Sequence, residues 1–198
     1  MNLKRKNDII NSIEKILPRR IDFINIAKII IISFTAFYLL GNFFPFYEGD
    51  DASIFAFTSI NLLDGSYSIT NELLKETGSW DFVPVHWTKT IYNTAVPDIN
   101  PGFPFLGTIA YIFGGIYGLF YLVPSITIIF LVLMDRIATN LFGRIVGLLT
   151  LLFLSSNFWI LSYGIQFMSD IPFTLFFMGG CFYFLKYLHQ PTDKYPSG

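Results

Sequence analysis

The chain has 198 residues, of which 53% are hydrophobic, 19% aromatic and only 14% charged, with a net charge of −1 at pH 7; its mean hydropathy is +0.55. A soluble domain carries about 25% charged residues to keep its surface wetted, so this composition excludes a soluble domain, a disordered chain and a basic nucleic-acid-binding module. The single cysteine, Cys181, lies in an apolar stretch and excludes an internal disulfide scaffold. The composition is that of an integral membrane chain whose first partner is the lipid bilayer.

The basic residues are sorted along the chain. Lys4, Arg5, Lys6, Lys15, Arg19, Arg20 and Lys28 precede residue 29, against Asp8, Glu14 and Asp22. Between residues 47 and 100 the balance reverses: Glu48, Asp50, Asp51, Asp64, Glu72, Glu76, Asp81 and Asp98 stand against Lys75 and Lys89. Lys and Arg are retained on the cytoplasmic side. Residues 1–28 are therefore expected inside, and residues 48–102 outside.

A first span is predicted over 29–47, which is free of charge and close to the roughly 20 residues that a bilayer core requires. Its apolar core is too long for a signal peptide, and Asn42-Phe43-Phe44-Pro45-Phe46 is a poor cleavage site. The uncharged stretch from Phe103 to Met134 is too long for one helix and is interrupted by Gly114, Gly115 and Gly118. It fits either an embedded helix at 103–118 followed by a span at 119–141, or a hairpin of two spans. The first arrangement keeps Arg136, Arg144, Lys186 and Lys194 inside, with further spans at 145–163 and 171–188, a short external loop at 164–170 and a polar tail at 189–198. The hairpin, a five-span alternative, puts Arg136, Arg144 and Lys186 outside. The expected fold is thus all-α integral membrane, with four transmembrane helices plus interfacial or embedded helices in the first external loop. Gly143 suits a helix end, Pro172 a first turn and Ser169 a cap. Asp135 and Arg136 read as a local charge pair.

The external segment carries the chemistry. Asp50 and Asp51 open a mostly apolar run from Ala52 to Leu63, closed by Asp64-Gly65, which reads as a short helix along the membrane surface. One carboxylate is enough to stabilise the positive end of a helix dipole; two adjacent acids just outside a span are also candidates for a functional role. Trp80, His86, Trp87 and Tyr92 form an aromatic stretch suited to interfacial anchoring, with sugar stacking by Trp80 or Trp87 as the functional alternative. His86 and Lys89 are, with Lys75, the external groups able to pair with a phosphate. His86 has no His or Cys partner at metal-ligand spacing. Asp170 stands at the external mouth of the last span, where an ionisable side chain either marks function or complements the helix dipole.

In this order, Gly49-Asp50-Asp51-Ala52, Asn100-Pro101-Gly102-Phe103-Pro104, Asn140-Leu141-Phe142-Gly143-Arg144 and Met168-Ser169-Asp170-Ile171-Pro172 resemble the N-terminal part of GT-C-type membrane glycosyltransferases. That class includes protein O-mannosyltransferases and aminoarabinose transferases. The resemblance covers most of residues 26–190 and rests on the order of four short motifs. The family's arginine before the proline of the second span is missing from Phe120-Tyr121-Leu122-Val123-Pro124.

The resemblance implies transfer of a sugar from a polyprenyl-phosphate carrier to a protein or glycolipid acceptor on the outer face of the plasma membrane, with inversion at the anomeric carbon. Asp51 or Asp50 is the expected general base, and Asp170 a further catalytic acid. His86, Lys89, Trp87 and Asp98 are the expected substrate and phosphate contacts. In the oligosaccharyltransferase branch a divalent cation (Mg or Mn) is bound, which would fall to Asp51 and Asp170 here. Family enzymes continue through several more spans, so the chain is expected to be the front of a longer enzyme; the alternatives are a non-catalytic membrane module or a degenerate, truncated relative. The almost complete lack of ionisable residues in the spans and of an inverted repeat speaks against a secondary transporter.

Overall fold

The structure, a computed structural model, describes residues 23–42, 50–68, 87–89 and 95–188, without the side chains of residues 50, 87–89 and 95. The N-terminal basic cluster, except Lys28, and the tail 189–198 lie outside the described residues. The described chain is largely helical, and three to four of its helices are long and apolar enough to cross a membrane. The helices are α1 (Phe23–Gly41), α2 (Asp50–Asn61), α3 (Gly102–Phe142), α4 (Arg144–Ser155), α5 (Phe158–Gly164) and α6 (Asp170–Leu188). A 3-10 turn, Leu62–Asp64, extends α2. Strands β1 (Trp87–Lys89) and β2 (Ala95–Pro97) form an antiparallel ribbon that pairs Trp87 with Pro97 and Lys89 with Ala95.

The first helix starts at Phe23, six residues ahead of the predicted span at 29–47, and therefore takes Lys28 into its body. Lysine is tolerated there because it is neutralised. Its Nζ lies 2.6 Å from Asp135 Oδ1, with side-chain exposures of 9% and 16%, and donates to Thr139 Oγ1 at 2.9 Å. Thr139 Oγ1 in turn donates to Asp135 Oδ1 at 3.3 Å. Asp135 thus pairs across to α1, not with its neighbour Arg136 as the sequence suggests. The third wall is Gly147 of α4. A Cβ there would stand 2.0 Å from Thr139 Oγ1, 2.7 Å from Asp135 Oδ1 and 3.0 Å from Lys28 Nζ. The absence of a side chain lets α4 close over the pair.

Helix α3 is two arms. At Gly115 the backbone leaves helical geometry (φ 57°, ψ −144°), a left-handed value that favours glycine. The turn is sharp. Residues eight apart in a straight helix are separated by about 12 Å, yet a Cβ on Gly118 would fall 2.0 Å from the carbonyl oxygen of Ala110. The break lies within the glycine-interrupted stretch that the sequence singles out. The first arm packs on α2 through small residues: Thr108 Oγ1 donates to the Ser59 carbonyl at 2.7 Å, and a Cβ on Gly107 would meet Ser59 Oγ at 2.2 Å. The second arm continues to Phe142, where Gly143 (φ 95°) alone links it to α4 and donates its N–H to the Thr139 carbonyl.

The predicted span 145–163 is not one continuous helix. It is α4 and α5, bent by 66°. The cause is local: Asn157, in extended geometry (ψ 119°), accepts the Ile160 amide on its side chain and starts a new helix, the behaviour of a good N-cap residue. Ser155 and Ser156 turn their hydroxyls onto the Leu152 and Phe153 carbonyls. Gly164, at the end of α5, is wedged between Thr127 of α3 and Leu39 of α1. In α6 the Ser169 carbonyl accepts the Phe173 amide at 2.8 Å, so Asp170 and Pro172 occupy the first turn.

Two apolar clusters hold these elements. One joins Phe55 and Ala56 of α2 to Phe103, Leu119 and Val123 of α3 and to Phe167; the other joins Ile126, Phe130 and Leu131 of α3 to Leu151 of α4 and Ile171 of α6. Removing one partner of a buried ion pair strands the other charge, at a cost of about 3–5 kcal/mol. Asp135→Ala is therefore expected to lower the melting temperature in detergent, and Lys28→Met combined with Asp135→Leu to recover most of the loss. A single substitution without thermal effect would show that the pair does not hold α1 in place.

Candidate functional site

The helices α2, α3 and α6 meet around a cavity of about 560 Å³, within the range of small-molecule sites. Phe55 enters from α2; Gly102, Phe103 and Leu106 from the first arm of α3; Pro172, Phe173 and Phe176 from α6. Ile99, Asn100 and Ser169 complete it, the last two as polar groups in an otherwise apolar lining. The floor is rigid. Phe103 sits edge-on to Phe55 (centroids 5.0 Å, 86°) and tilted against Phe167 (4.8 Å, 41°). On the α6 side Phe173 and Phe176 are 70% and 62% exposed, so this wall faces the surroundings of the bundle.

The Ile99–Asn100 wall is held from a distance. The Tyr67 hydroxyl donates to the Ile99 carbonyl, which fastens the segment after α2 to the segment before α3. Partial burial pushes the Tyr67 phenol above its usual value of 10.0. Here the neutral phenol is the form that donates the bond.

The predicted site residues fall on different parts of this arrangement. Asp51 is exposed in the first turn of α2, four residues before Phe55 and hence on a similar face of the helix. Asp50 opens α2, with its side chain outside the described residues. Asp170 is exposed at the start of α6, beside Ser169. Both helices thus begin with an exposed carboxylate close in sequence to a residue of the cavity, although neither Asp51 nor Asp170 lines it. Asp98 is exposed in the bend that follows β2. Trp87 and Lys89 lie in β1, which the ribbon pairs with the strand just before Asp98, and His86 lies outside the described residues. Among the described residues that line the cavity there is no cation.

Two of the four motif segments line this cavity, the second through Asn100, Gly102 and Phe103 and the fourth through Ser169 and Pro172; the first, at the start of α2, lies about one turn before Phe55. No family model matches the chain, and no match was found among curated proteins or solved structures. Among the described residues no three His, Cys, Asp or Glu side chains group to hold a metal ion; Asp51 and Asp170 each present an exposed carboxylate, and the side chain of Asp50 lies outside the described residues. Asn100 and Ser169, the polar groups of the lining, were legible only as motif members and as a helix cap, because nothing in their spacing announces a shared cavity.

Loss of the Tyr67 proton removes its bond to Ile99. Its pKa is raised in the folded chain, so the contribution of this contact is complete below pH 10 and is lost as pH rises through the higher folded value. A spectroscopic titration of the wild type minus Tyr67→Phe is expected to place this phenolate above pH 10; a transition at or below 10 would remove the burial argument.

Proposed function

We propose that this chain is the front part of a membrane glycosyltransferase that uses a sugar carried on a polyprenyl phosphate. The observation that carries the reading is an apolar cavity lined by two of the segments that carry the family resemblance, with exposed carboxylates at the starts of the two flanking helices. An apolar cavity with an exposed phenylalanine wall suits a prenyl chain arriving sideways from the bilayer. Asn100 and Ser169 offer hydrogen bonds to a sugar or phosphate oxygen. In this reading α1, the second arm of α3, the bent α4–α5 pair and α6 are four spans, the first arm of α3 is embedded, and the 48–102 segment is on the outer face of the plasma membrane with the N-terminus in the cytoplasm.

The chemistry asks little of the leaving group, because a polyprenyl phosphate departs readily as an anion. The acceptor is the weak partner. As its hydroxyl or amide attacks the anomeric carbon from the face opposite the phosphate, a carboxylate takes the acceptor proton. The new glycosidic bond forms, the bond from the anomeric carbon to the phosphate oxygen breaks, and the configuration inverts. Asp51 is assigned as this base, with Asp50 as its neighbour and Asp170 as the carboxylate across the cavity. Lys89 and His86 are the cations assigned to the phosphate, and Trp87 and Asp98 contacts for the sugar.

General base catalysis contributes about 10²–10⁴-fold. Asp51→Asn in the complete enzyme, reconstituted with a polyprenyl-phosphate sugar and an acceptor, is expected to lose turnover by that order while insertion and carrier binding persist. Undiminished turnover would remove Asp51 as base, and failure of the wild type to bind any polyprenyl-phosphate sugar would leave a non-catalytic membrane module.

A further inference from the structure

At the opposite end of α6 a second recess, about 530 Å³, separates α6 from the second arm of α3. Leu133, Arg136 and Asn140 line it from α3, at i, i+3 and i+7; Phe182, Leu185 and Lys186 line it from α6, at i, i+3 and i+4. Each helix therefore contributes one face with an apolar part and a cation. Arg136 is exposed and, like Lys186, makes no ion pair or hydrogen bond with another described residue. Among the described residues, no acidic side chain lines the recess. The acid nearest in sequence, Asp135, is committed to Lys28 at 2.6 Å. The acid on the same helix as Lys186, Asp170, is 16 residues away, about 24 Å along the axis. Two cations therefore converge on a groove whose remaining lining is largely apolar, and the internal ion pair takes away the carboxylate that would otherwise offset them.

We infer that this recess is a binding site for an anionic phospholipid, with the headgroup phosphate between Arg136 and Lys186 and an acyl chain along Leu133, Phe182 and Leu185. The charge complementarity selects the occupant. A zwitterionic lipid brings its own cation to the phosphate, and a purely apolar helix leaves both cations unpaired. Arg136 offers a fork of N–H donors to phosphate oxygens, Lys186 a compact charge on a flexible stem, and Asn140 an amide donor at the polar end. Basic recesses between membrane helices are a recurrent setting for acidic headgroups. The inference does not depend on the glycosyltransferase reading, which concerns the other end of α6.

The test is native mass spectrometry of the full chain released from bilayers that mix phosphatidylglycerol with phosphatidylcholine. Preferential retention of phosphatidylglycerol is expected. Each cation at a membrane surface is worth about fivefold, so Arg136→Gln combined with Lys186→Gln should cut the preference by roughly 25-fold. The charge-preserving pair Arg136→Lys with Lys186→Arg should keep most of it. Equal retention of the two lipids by the wild type, or an undiminished preference in the double Gln variant, would overturn the assignment. Unchanged thermal unfolding of the double Gln variant in lipid-free detergent separates loss of the lipid from loss of the fold, and the charge-preserving pair provides the same separation where the Gln variant is unstable.

Discussion

A lysine inside an apolar helix is the constraint to which the bundle conforms. A charged side chain at the centre of a membrane helix costs on the order of 3 kcal/mol even by insertion scales, and Lys28 sits within α1. The cost is offset when a carboxylate and a hydroxyl reach it, and Asp135 and Thr139, one turn apart on α3, do so. That fixes the rotation of α3 about its axis. The hydroxyl and carboxylate leave no room for a side chain on the facing helix, so α4 presents Gly147. One charge thereby sets the mutual orientation of three helices.

With α3 oriented at that end, its other arm is free to reverse at Gly115 and lie against α2. Close approach of backbones through small residues is the usual way membrane helices gain contact, since lipid supplies no hydrophobic drive between them. Gly107 on Ser59, Gly118 on Ala110 and Gly164 on Thr127 are three instances of it. The result is a molecule with two chemically distinct ends. One has exposed carboxylates beside an apolar cavity, and the other has two cations, without an ion pair among the described residues, beside a largely apolar groove. Helix α6 runs between them, starting at Asp170 and ending near Lys186.

The helical membrane class, the interruption near Gly115, the helix end at Gly143 and the start of α6 were all legible in the sequence, because each rests on a local rule of length, glycine or proline. The start of α1 was not. Counting uncharged residues stops at Lys28, and only a partner 107 positions away explains why the helix runs through it. The same long-range pairing hid the role of Asp135, whose adjacent arginine offered a simpler partner. The bend at Asn157 did leave a sign, Ser155-Ser156-Asn157 in the middle of an apolar run, but hydropathy averaging smooths over three residues. At the candidate site the acids stood out by type and position. The cavity did not, because Phe55, Asn100, Phe103 and Ser169 are unremarkable in sequence and meet only through the packing of three helices.

The Lys28–Asp135 pair also sets an order of events during synthesis. At about 5–20 residues per second, Asp135 follows Lys28 out of the ribosome by roughly 5–20 s. Through that interval α1 holds an unmatched ammonium group, whose long stem lets it reach toward the headgroups. Until α3 supplies the carboxylate, α1 is therefore expected to sit with Lys28 drawn toward the nearer membrane surface.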